Sequence, residues 1–141
     1  MKVLKLAMII PLFFMLGSNA QAQGKFGATP QDSIECIKNL NFYDEEYKRN
    51  AYDAAYTPWR EALRLCPKSS VNLYMRGANI LRDRMNKVSD PAHKQALVDS
   101  LLMMYDKRIE YNFPRTDIAD LVYRKAGIIE EIGRASCRER V

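Results

Sequence analysis

Tyr52-Asp-Ala-Ala-Tyr-Thr-Pro-Trp-Arg-Glu-Ala-Leu-Arg-Leu-Cys-Pro67 is the stretch that decides the fold. Its apolar positions, Tyr52, Ala55, Tyr56, Trp59, Ala62, Leu63 and Cys66, recur at steps of three and one. On a helix of 3.6 residues per turn those steps place all of them on one face. Pro58 lies inside the run. It removes a backbone donor and crowds the preceding turn, so it predicts either a kink or a helix restart at Thr57. The stripe keeps its phase across Pro58, which favours the kink.

The same period extends in both directions. Val98, Leu101, Leu102, Tyr105 and Ile109 form a second stripe after Ser89-Asp90-Pro91, a helix-start signal with proline at the first position. Val71 to Val88 carries Leu73, Gly77, Ile80 and Leu81 on one side. A last segment begins after Pro114-Arg115-Thr116-Asp117 and runs through Leu121, Tyr123, Ala126 and Ile129. The reading is five helices, at about 32–49, 51–66, 70–87, 90–112 and 117–130, in an all-α chain. Connections this short force consecutive helices to lie antiparallel.

Antiparallel packing has a consequence for the cysteines. Cys36 opens the first helix and Cys66 closes the second, so the hairpin brings them to one end. A Cys36–Cys66 disulfide is expected, closing a loop of about 30 residues and contributing about 3 kcal/mol.

Tyr52-x-x-Ala55-x-x-x-Trp59-x-x-Ala62-x-x-x-x-Pro67 resembles the second helix of a tetratricopeptide repeat, and Asn72-Leu73-x-x-x-Gly77 resembles the first helix of the next. The tyrosine-rich run and the paired cysteines are similar to exported, repeat-containing proteins of Bacteroides-like bacteria. The resemblance covers residues 31–130 and implies antiparallel hairpins stacked as a tetratricopeptide-like α-solenoid of about two and a half repeats. It departs from the family where Asn39 and Tyr43 replace the usual tryptophan and glycine of the first helix. The second hairpin, Pro67 to Pro114, is also longer than one repeat. By analogy the first helix of each hairpin lines a concave groove, which would hold Tyr47, Lys48, Tyr74 and Arg82. Leu40, Asp44 and Met75 stand where chaperone-binding members carry lysine and asparagine, so recognition of chaperone tails is not implied.

Both ends read as separate from this domain. Lys2 and Lys5, the apolar run Leu6 to Leu16 and Ala20-Gln21-Ala22 have the pattern of a secretory signal peptide over residues 1–22. That run falls short of the roughly 20 residues a permanent span needs, so no stable membrane anchor is expected. Residues 23–30 read as a flexible lead-in. Glu131 to Val141, EIGRASCRERV, resembles the in-frame translation of a sequencing adapter, so residues 131–141 read as a non-native tail and the native chain is expected to continue past Glu130. Without both ends, 22 basic and 17 acidic residues become 17 and 15, a net of +2. That balance carries no nucleic-acid footprint. Removing Cys137 also turns an odd cysteine count into a pair.

Catalytic constellations are not legible. His93, the single histidine, sits beside Lys94 near a helix start, where a solvated face is expected. One histidine and a paired cysteine couple cannot build a zinc site. Asp44, Glu45 and Glu46 diverge around a helix axis and cannot act as paired carboxylates. No cofactor is implied. Met103, Met104 and most tyrosines read as packing. The expected function is a non-catalytic scaffold outside the cytoplasm that binds an unknown protein or peptide and stacks on further repeats of its native chain. The alternative is a helical module of a larger exported enzyme or nutrient-handling protein. Leu121, Ile128 and Ile129 are expected to lack a covering helix.

Overall fold

The computed structural model describes residues 24–138 and, among them, five α-helices and no strand: α1 (Pro30–Lys48), α2 (Tyr52–Leu65), α3 (Asn72–Lys87), α4 (Pro91–Tyr111) and α5 (Ile118–Arg138). The proposed signal segment 1–22 lies outside the described residues. Residues 24–27 form a tight turn in which the Gly27 N–H donates to the Gly24 carbonyl at 3.1 Å.

Each helix start has a local cause. Thr29 caps α1: its hydroxyl accepts from the Asp32 N–H, while the Asp32 carboxylate accepts from the Thr29 N–H, and Pro30 follows with its angle preset. The helix therefore starts two residues before the expected residue 32. α1 ends where Asn50 takes the left-handed conformation at φ 58°, which asparagine tolerates better than most residues. α2 runs through Pro58 without a restart. Asp90 caps α4 by accepting from the His93 N–H at 2.7 Å, with Pro91 at the first turn as the sequence signal indicates. Asn112 closes α4 in the left-handed region.

Neighbouring helices are antiparallel. Cys36 and Cys66 are joined as a disulfide with Cα atoms 6.0 Å apart, which ties the start of α1 to the end of α2. Asp53 at the start of α2 meets Arg84 and Lys87 at the end of α3, at 3.3 and 2.8 Å. Tyr74 early in α3 packs edge-on to Tyr111 at the end of α4. Lys125 of α5 pairs with Asp106 of α4. α1 and α3, by contrast, run parallel. Arg76 pairs with Asp44 and stacks over the Tyr47 ring, and Asn79 donates to the Tyr47 hydroxyl at 2.7 Å. Both polar pairs join positions 32 residues apart.

One core unites all five helices. It holds Cys36, Tyr43, Trp59, Leu73, Ile80, Leu81, Leu101, Met104 and Leu121. Trp59 and Gly77 form a close crossing in it. The indole N–H donates to the Leu73 carbonyl at 2.8 Å, and a Cβ on Gly77 would collide with the indole ring. A residue without a side chain is what lets α2 and α3 approach this closely.

α5 departs from expectation in two ways. It does not stop near Glu130 but continues to Arg138, because Glu131 to Arg138 contains no proline and mostly adequate helix formers. Leu121, expected to lack a partner, is fully buried in the common core, because α5 lays one edge on α4. Ile128 is half-buried, whereas Ile118, Val122, Tyr123 and Ile129 are exposed.

Candidate functional site

Three helices leave a hollow between them. Its walls come from α3 (Tyr74, Met75, Ala78, Asn79, Arg82), α4 (Met104, Tyr105, Arg108) and α5 (Asp120, Arg124), and its volume is about 280 Å³. The helical period explains the α3 contribution, since positions 74, 75, 78, 79 and 82 follow one edge of that helix. Tyr74, Ala78, Met104 and Tyr105 are buried and form an apolar floor. Met75 is 47% exposed at the rim.

The polar rim is cationic. Arg82 donates to the Tyr105 hydroxyl at 2.7 Å. Arg124 donates to Asp120 at 2.7 Å, and this bond, helped by the charges of Arg124 and Arg108, holds the Asp120 carboxyl below the usual range. The Asp120 backbone N–H is in turn held by the Asp117 side chain at 3.0 Å, which fixes the first turn of α5. Arg108 Nε is buried without an acceptor. A desolvated donor left unpaired is costly, so this guanidinium lacks a partner it could use.

The four groove residues named from the sequence are not all brought together. Tyr74 and Arg82 both reach the hollow. Tyr74 does so as a core residue, 2% exposed, with its hydroxyl donating to the Pro67 carbonyl at 2.8 Å. Burial, reinforced by Tyr111 and Glu110 nearby, drives its phenol well above the ordinary value. Tyr47 stands next to the hollow through its bond with Asn79. Lys48 does not reach it; it is exposed and paired with Asp44. Arg108, Asp120 and Arg124 were not legible as site residues. Their only sequence signal is arginine three residues after Tyr105 and four after Asp120, which marks a helix face but not which neighbour it meets.

The three-acid run behaves as its spacing implies. Asp44 turns to Arg76 and Lys48, while Glu46 turns to Arg49. Among the described residues no group of three or more His, Cys, Asp or Glu side chains is placed to hold a metal, and no helix is long and apolar enough to cross a membrane. No protein-family model, curated protein or solved structure matches the chain.

Proposed function

We propose that the protein is a non-catalytic helical-repeat scaffold of the tetratricopeptide type, acting in the bacterial cell envelope and binding a protein or peptide in the hollow between α3, α4 and α5. The observation that carries this reading is the relation of α1 to α3. Two first-of-hairpin helices run parallel, bridged by pairs with the same 32-residue offset, and α2 lies antiparallel to α3. Stacked hairpins have this geometry, and it leaves a continuous face of first helices available for binding. The buried Cys36–Cys66 bridge and the signal-like segment 1–22 support export to an oxidising compartment.

Display of random dodecapeptides against the full chain tests the binding role. Selected peptides are expected to bind the protein and to lose binding in Met75→Glu, which places a charge at the apolar rim without entering the core. Failure to select any peptide, or selection of peptides indifferent to Met75→Glu, would contradict the reading.

A further inference from the structure

The arginines of this protein fall into two groups. Arg49, Arg64, Arg76, Arg84, Arg124 and Arg134 each hold a carboxylate of the same chain. Arg60, Arg82, Arg108 and Arg115 hold none among the described residues, and of these Arg82 and Arg108 face the same hollow. The only acid on its walls, Asp120, is already engaged by Arg124. Three positive charges, on Arg82, Arg108 and Arg124, face one negative, so the walls carry a net charge of +2. One of the positive charges belongs to a guanidinium whose Nε has lost water and gained no acceptor. Charges in such a partly desolvated setting attract an opposite charge more strongly than charges in open water do.

The remaining lining narrows the ligand further. The floor is apolar, the rim carries the exposed Met75, and about 280 Å³ accommodates one or two side chains rather than a folded domain. Asn79 and the Tyr105 hydroxyl are suited to backbone amides or a carboxyl group. Guanidinium groups grip carboxylates through paired N–H donors, and a neighbouring apolar side chain would cover Met75.

We propose that the hollow between α3, α4 and α5 binds an acidic peptide segment, seating a carboxylate between Arg82 and Arg108 and an adjacent apolar side chain against Met75. The proposal rests on the scaffold reading and specifies its ligand chemistry.

The test uses a fluorescein-labelled decapeptide alternating glutamate with leucine, its glutamine counterpart, and the full chain, read by fluorescence anisotropy. The acidic peptide is expected to bind at least tenfold more tightly than the glutamine peptide, because a charge-assisted bond of this kind is worth about a factor of ten or more. Arg82→Ala and Arg108→Ala should each weaken binding about tenfold, and binding should fall with added salt. Arg60→Ala, whose side chain instead stacks over Tyr56 at 5.6 Å, should change nothing. Far-UV circular dichroism checks folding, and if Arg108→Ala unfolds, the exposed Arg82→Glu decides alone. Equal binding of both peptides, no binding of either, or an unchanged affinity in Arg82→Glu would overturn the proposal. Neutral peptides recovered by display that depend on Met75 but not on Arg82 would overturn it while leaving the scaffold reading intact.

Discussion

The first hairpin and the last helix are built on different terms. α1 and α2 are joined by a buried disulfide, and α2 is locked to α3 by an indole lying on a glycine. Among its described side chains α5 buries Leu121 fully, while Ile118, Val122, Tyr123 and Ile129 face outward. Burial of apolar area is the main source of stability, so the chain is graded from a rigid frame to a loosely held edge. The hollow lies on that boundary. Its α3 wall belongs to the frame, and its α5 wall, with Asp120 and Arg124, belongs to the edge. A ligand that bridges them would order the edge at the expense of its own affinity.

Four changes break or sharpen this contrast. Trp59→Ala has the largest expected effect, about 3–5 kcal/mol, because it removes a large buried ring together with its bond to the Leu73 carbonyl. Urea unfolding checks it, and a loss below 1 kcal/mol would show that α2 and α3 are not held by this contact. Removing the bridge in the Cys36→Ala/Cys66→Ala double variant should cost about 3 kcal/mol in the same assay, through the freed loop of the unfolded chain. A loss no larger than for a surface change would place the strength of the frame elsewhere.

The third change concerns pH. Tyr43 and Tyr74 have phenols raised by burial, Tyr43 despite the opposing charge of Arg76. Below about pH 10 both folded and unfolded chains carry these phenols protonated, so they impose no penalty. As pH rises past that value the unfolded chain ionises first, and stability falls until the folded values are passed. Tyr74→Phe loses the bond to the Pro67 carbonyl and should cost about 1 kcal/mol at pH 7. At pH 11 the gap to the parent should shrink or reverse, since one of the delayed phenols is gone. Thermal melts at the two pH values decide it, and an equal gap at both would count against the buried setting of Tyr74. The smallest effect belongs to the edge. Ile129→Ala, at a 53% exposed position, should change stability by less than about 0.5 kcal/mol. A loss above 1 kcal/mol would mean that α5 is covered.

Helix number and order were legible because the 3.6-residue period is strong in α2, α3 and α5, while α4 announces itself through its Asp90-Pro91 start. The Cys36–Cys66 pairing followed from antiparallel order once Cys137 was set aside with the tail. The start of α1 was missed by two residues because the Thr29-Pro30-Gln31-Asp32 cap, whose spacing was present to be read, lies ahead of the first apolar residue, Ile34. Leu121 was misplaced for another reason. An apolar stripe tells that a face is covered but not by which helix, and α5 buries one edge while leaving the other open. Tyr74 was assigned to a groove by position in the repeat, yet its phase beside Leu73 and Gly77 turns it into the core. The arginine hollow was hidden for the same physical reason: Arg82, Arg108 and Arg124 lie on three helices, and no local pattern states which faces meet.

Hydrogen–deuterium exchange of the full chain, free and with the acidic glutamate–leucine peptide, tests the contrast most directly. In the free protein, amides of α2 and α3 should exchange only through global unfolding, while those of α5 exchange through local opening. Added peptide should slow α5 and leave α2 unchanged. Equal protection of α5 and α2 in the free chain, or peptide protection confined to α1 and α2, would contradict the account.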